Sequence, residues 1–140
     1  EARGSEVDLG EGVAVLRDMF VTETMAEAEH LAGDGIVRYM KWVCEFRGLG
    51  NHRYPGEELP DTPRKLDLLT YEWLHPRNML FGTPDYVAGK IHEMKEKLNL
   101  RKLLVWSSFP GVAHEATMDS IARFTEDVMP QFADVTEEVT

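Results

Sequence analysis

Three short stretches hold the residue types that could do chemistry. Gly82-Thr83-Pro84-Asp85 has the order of a helix start. The free N–H groups of such a first turn can hold a phosphate. The plainer reading is a glycine turn with a cap: the Thr83 hydroxyl bonds an orphan N–H, Pro84 loses no hydrogen bond, and Asp85 suits the positive end of the helix. Trp106-Ser107-Ser108-Phe109 closes a second apolar run. Aromatic rings at a strand end could wall a flat ring system or an apolar substrate, and a serine could bond its edge, unless Trp106 is ordinary core. Thr22-Glu23-Thr24 closes a third run, with Thr24 readable as a cap and Glu23 as a rim charge.

Other candidates are thinner. Arg17 could answer a phosphate or carboxylate, although a strand arginine pairing with Asp18 or a neighbouring helix is the simpler reading. His30, His52, His75, His92 and His114 lack the spacing of a metal ligand set, so no metal site is expected. His114 alone lies near one of the three loops. The single Cys44 excludes an internal disulfide and a cysteine-based zinc site, and reads as a buried thiol. There is no P-loop, no dinucleotide glycine pattern and no nucleophile elbow.

These loops need elements to hold them. Met79-Leu80-Phe81 has the length of a buried strand, and Val87, Ile91, Met94 and Leu98 form one apolar stripe on the helix after Pro84. Leu103-Leu104-Val105-Trp106 lacks alternation, as expected of a strand buried on both faces. Residues 79–106 thus read as strand–helix–strand in a parallel sheet. Upstream, 13–22 reads as a strand whose Arg17-Asp18 pair points away from the core or into a polar site. Thr24 and Glu27 form a capping box. The helix after it has Ala28, Leu31, Ile36, Met40, Val43 and Phe46 as its apolar side, with Gly33 and Gly35 marking either a break or close backbone packing. Residues 48–63 are punctuated as loop. A short helix spans 65–74, with Leu66, Leu69, Trp73 and Leu74 apolar, and His75-Pro76-Arg77-Asn78 ends it. A last helix starts at His114 or Glu115, buries Met118, Ile121, Phe124 (or Thr125) and Val128, and stops at Pro130. The organisation is a lead-in loop over 1–12, one α/β domain over 13–132, and an acidic tail over 133–140.

One hundred and forty residues suffice for one domain with a real core. A formal charge of −10 argues against nucleic acid and anionic membrane as partners. No run approaches the length of a membrane span and no signal-peptide pattern opens the sequence, so a reducing cytoplasmic setting is the default.

Gly82-Thr83-Pro84-Asp85-Tyr86-Val87-Ala88-Gly89-Lys90-Ile91 resembles a signature of the bacterial luciferase-like flavin monooxygenases. Leu103 to Gly111 with His114-Glu115 is similar to that family's last strand and loop, and Phe124 with Val128-Met129-Pro130 to the close of its final helix. Leu16 to Thr24, with Glu27-Ala28, is similar to an earlier segment. The family's fold is an eight-stranded (β/α) barrel of more than twice this length, so the resemblance implies a partial barrel equivalent to its last three units. It implies parent chemistry on reduced FMN and oxygen, with a small organic substrate and a flavin reductase as partner. A related branch uses a deazaflavin for hydride transfer, and these motifs do not separate the two. The cofactor-binding candidates are then Trp106, Ser107 and Phe109 against the isoalloxazine, and Gly82 and Thr83 at the helix start. The family's N-terminal half, which carries its best-known catalytic histidine, has no counterpart here, so no catalytic residue is carried over. A non-catalytic chain that folds and associates is the rival reading.

Three strands cannot close a barrel. With helices 84–98 and 115–129 covering one sheet face, the inner face has no partner in the chain. A homodimer is therefore expected.

Overall fold

The computed structural model describes residues 4, 6–60 and 64–135. Three parallel strands form one sheet: β1 (Ala14–Val21), β2 (Met79–Gly82) and β3 (Lys102–Trp106), in the order β2–β1–β3. The parallel α/β class read from the sequence stands. The order places the first strand, rather than the second, in the middle. The pairing is staggered. Asp18 to Val21 pair with β2, whereas Ala14 to Asp18 pair with β3. Asp18 therefore has neighbours on both sides, Met79 and Trp106.

The chain leaves β1 for one edge, then crosses β1 to reach the other. Crossovers of one hand that run in opposite directions put their helices on opposite faces, and two separate cores show that arrangement. On one face α1 (Met25–Arg47) and α2 (Tyr71–Asn78) cover Phe20, Met79 and Phe81. On the other, α3 (Pro84–Leu98) and the segment after α4 (His114–Arg123) cover Met19, Val21 and Leu80. The expectation of a bare inner face is thus corrected, because α1 lies on the face opposite α3.

Local signals explain the helix starts. The Thr24 hydroxyl accepts from the Glu27 N–H at 3.1 Å, and the Glu27 carboxylate accepts in return from the Glu23 N–H at 3.1 Å. Thr83 accepts from the Tyr86 N–H at 3.3 Å, with Pro84 in the first turn. In α1 the buried stripe is Ala28, Ala32, Ile36, Met40 and Cys44, spaced by four. Leu31 and Phe46, expected on that stripe, are 39% and 75% exposed. Small residues also let α1 approach α2 and the loop after β3 closely. A Cβ on Gly35 would sit 2.7 Å from the Pro110 carbonyl, and one on Gly33 would sit 3.4 Å from the Tyr71 ring. Close packing, not a break, is what these glycines permit.

Three expected elements differ. The helix over 65–74 is a 3-10 turn (Lys65–Leu68) followed by α2, which Thr70 caps and which runs through Pro76 to Asn78. β3 is an edge strand, not one buried on both faces. Leu104 and Trp106 are 50% and 49% exposed, because β3 pairs with the lower half of β1, beyond the cover of α1 and α2. The last helix changes pitch after Arg123. A π turn (Phe124–Val128) carries the Met129 N–H to the Phe124 carbonyl, and a 3-10 stretch (Met129–Val135) continues past Pro130. Val128, in that turn, is buried, while Met118, in the regular α4 before it, is exposed. Of the expected acidic tail, residues 136–140 lie outside the described residues.

β3 ends level with Asp18, so the upper edge of β1 has no strand beside it there. Ser120 of α4 takes that place: its buried hydroxyl accepts from the Val21 N–H at 2.7 Å. Ser120→Ala leaves that N–H buried and unpaired, and is expected to cost about 1–3 kcal/mol of stability. Urea denaturation measures it; an unchanged midpoint would show that the bond does not hold β1 to α4.

Candidate functional site

Ligands of open parallel sheets sit outside the carboxyl ends of the strands, where the strand order reverses. Here that point lies at the top of β1. Thr22 extends the ladder, its N–H donating to the Gly82 carbonyl at 2.9 Å and its hydroxyl to the Thr24 carbonyl at 2.8 Å. Glu23 pairs with Arg123 at 2.8 Å, tying the start of α1 to α4. Gly82 has φ of +142°, and a Cβ there would collide with the Met25 sulfur. The Thr83 hydroxyl is engaged as the cap of α3.

The third loop divides. Phe109 is buried in the α1-side core, its ring centroid 5.3 Å from Phe81 and 6.3 Å from Tyr39. It therefore stands next to the strand end that carries Gly82 and Thr83. Trp106 stays lower. It is level with Asp18, while Gly82 is level with Val21, a separation of roughly 10 Å along the strands. The indole N–H donates to the Ser108 carbonyl at 2.7 Å, which holds the half-exposed ring in one orientation, and Ser107 beside it is partly buried. The five candidates thus form two groups, Gly82–Thr83–Phe109 above and Trp106–Ser107 below.

Asp18 was read only as half of a charged pair. Strand alternation separates that pair. Arg17 shares a face with Met19, whereas Asp18 shares one with Phe20 and is flanked by Met79 and Trp106. Burial pushes its carboxyl up to about 6, against the opposing pull of Arg17. With Leu16 and Leu104 exposed below it, this is an apolar strip holding one carboxyl that changes charge near neutral pH. The signal available in the sequence was the acid itself, set in an apolar strand with period two.

A second group was not anticipated. His75 lies between Tyr86 and Tyr71, with centroids 5.1 and 5.2 Å away. Its Nε2 is 2.7 Å from the Phe81 carbonyl, so that nitrogen carries the proton and donates. The Tyr71 hydroxyl is buried without a partner among the described residues, and burial followed by the charge of Glu29 pushes its pKa up. His114, the one histidine singled out from the sequence, is exposed at the first residue of α4. Among the described residues no three His, Cys, Asp or Glu side chains converge as a metal site, and no helix is long and apolar enough to cross a membrane.

The fold has a counterpart among solved structures. A type II Baeyer–Villiger monooxygenase, the oxygenating constituent of 3,6-diketocamphane monooxygenase from the CAM plasmid of Pseudomonas putida in complex with FMN, is similar to this chain with a TM-score of 0.66 and 22% identity. The match covers 93% of this chain and 36% of that one. No family profile and no curated protein matches. At that identity the likeness shows the fold: this chain has the α/β architecture of about a third of that monooxygenase chain.

The Asp18 carboxyl has a folded pKa of about 6 above an ordinary 3.8, so the folded chain holds this proton more tightly than the unfolded one. Its contribution to stability is intact below about pH 4 and is lost as pH rises to about 6. Asp18→Asn is therefore expected to stabilise the chain at pH 7.5 by roughly 1–2 kcal/mol, after discounting for partial exposure, and to change little at pH 4. Denaturant titrations at the two pH values test this; an equal difference at both would assign the effect to packing.

Proposed function

We propose that this chain is the C-terminal portion of a luciferase-like, flavin-dependent monooxygenase, an oxidoreductase that uses reduced FMN and oxygen on a small organic substrate. The observation that carries the reading is the fold likeness over 93% of the chain to a monooxygenase solved with FMN, and the ordered sequence motifs agree with it. The same neighbour favours FMN over the deazaflavin alternative. The single buried thiol, Cys44, accords with a cytoplasmic setting. A flavin reductase is the partner that would supply reduced cofactor.

The residues present fit the flavin in part. The half-exposed Trp106 ring, with Ser107 and the Asp18 carboxyl beside it, suits one wall and one polar edge of an isoalloxazine. Phe109 is fixed in the core and the Thr83 hydroxyl is engaged in capping. The flavin, when bound, supplies the oxygen chemistry. This chain's share is to present the indole, exclude water with Leu16 and Leu104, and hold a proton at the Asp18 carboxyl. Titration of the chain with FMN, followed by flavin fluorescence, is expected to give weak binding at most, with any signal lost in Trp106→Ala. Tight stoichiometric binding would overturn the view that the site needs more protein than this chain. A weak signal that survives Trp106→Ala would remove the third loop from the site.

A second reading is favoured by the same strip. Leu16, Leu104 and Trp106 are each about half exposed on one sheet face, and β3 is an open edge. A non-catalytic chain that folds and pairs through this face as a homodimer accounts for both features. Light scattering behind size exclusion at micromolar protein is expected to give twice the chain mass, falling to the monomer in Leu104→Lys. A soluble, folded monomer of the unaltered chain would overturn it.

A further inference from the structure

On the sheet face opposite Asp18 and Trp106, where β2 begins, a cavity of about 210 Å³ opens between β1, the end of α2 and α3. Arg17, Arg77, Lys90 and Lys97 line it, against Glu93 as the single acidic lining residue. In a chain of net charge −10, such a concentration of cations runs against the general trend.

The partners of these cations leave a surplus. Arg77 is satisfied: it binds Glu57 through two bonds of 2.6 and 2.9 Å and lies over the rings of Trp73 and Tyr54. Lys97 and Lys90 share Glu93, at 2.6 and 3.8 Å. Arg17 makes one hydrogen bond, to the Leu16 carbonyl at 2.9 Å, and has no ion pair among the described residues. Asp18 is adjacent in the strand but projects to the other sheet face. Four cations thus meet two carboxylates. The field reaches His52, whose pKa is lowered by burial and then by Arg17 and Arg77. Burial also lowers the pKa of Arg17, and the charge of Asp18 on the other sheet face opposes that shift without cancelling it.

We propose that this cavity binds a small phosphate monoester. The Arg17 guanidinium would take two phosphate oxygens, which its planar fork matches. Lys90 and Lys97 would add charge at the rim, and Pro76, Leu80, Met94 and Leu98 would contact a short apolar body. The volume falls below the roughly 300–1,000 Å³ of sites for drug-sized ligands. The cavity is thus sized for a ligand smaller than a flavin, and it lies on the sheet face opposite Asp18 and Trp106.

The test is calorimetric titration of the whole chain with inorganic phosphate, butyl phosphate and butyrate at constant ionic strength set with chloride. Saturable binding is expected, with butyl phosphate tightest. Arg17→Gln should weaken it at least ~10-fold, as for loss of a charge-assisted bidentate contact. Arg38→Gln, on the far face of α1, should leave it unchanged. Should Arg17→Gln not fold, Lys90→Gln carries the same test, because among the described residues its partly exposed side chain meets Glu93 and the Tyr86 ring; several-fold weakening is then expected. Butyrate binding as tightly as butyl phosphate would overturn the phosphate assignment. Binding no stronger than that of chloride, or equal weakening by Arg38→Gln, would overturn the site.

Discussion

The staggered pairing of β1 is the constraint on which the rest of the structure depends. One strand of eight residues gives its upper half to β2 and its lower half to β3, with Asp18 at the crossing point. The upper half has helices on both faces, so Met19, Phe20 and Val21 are buried. The lower half has β3 beside it, but one face lies beyond the reach of α1 and α2. The exposed Leu16, Leu104 and Trp106 follow directly, and so does the need for Ser120 to complete the edge of β1 above the end of β3.

The same stagger decides where chemistry can sit. It separates the Gly82 and Trp106 strand ends and places Asp18 beside the indole rather than in solvent. A carboxyl in that position is costly when charged, and its cost is what brings its titration close to neutrality. On the other face of the same strand Arg17 enters a cavity walled by lysines. Adjacent charges in one strand thus lie on two faces of the sheet. A sequence reading that pairs them because they are neighbours misses this, since a pleated strand sends successive side chains in opposite directions.

Features set by contacts within three or four residues were legible in the sequence. Thr24 with Glu27, and Thr83 with Pro84, announce helix starts through hydrogen bonds that span three positions. The stripe Val87–Ile91 and the short apolar run at Met79 announce the elements that bury them, and three strand–helix units gave the α/β class. The lone buried Cys44 was legible for the same reason, as part of an apolar helical stretch.

Only the tertiary structure decided the strand order, the face on which α1 packs, and the exposure of β3. These depend on pairing between residues about sixty to ninety positions apart, such as Phe20 with Phe81 and Asp18 with Trp106, which no local periodicity encodes. Leu103 to Trp106 is apolar without alternation whether it lies in the centre of a sheet or at its edge. Ala28, Ala32 and Ile36 are buried on α1 while Leu31 is not, and Gly35 packs against Pro110, a contact of the folded chain alone. The contact of His75 with Tyr86 belongs to the same class, since it joins α2 to α3, whereas Tyr71 and His75 are one helical turn apart on α2.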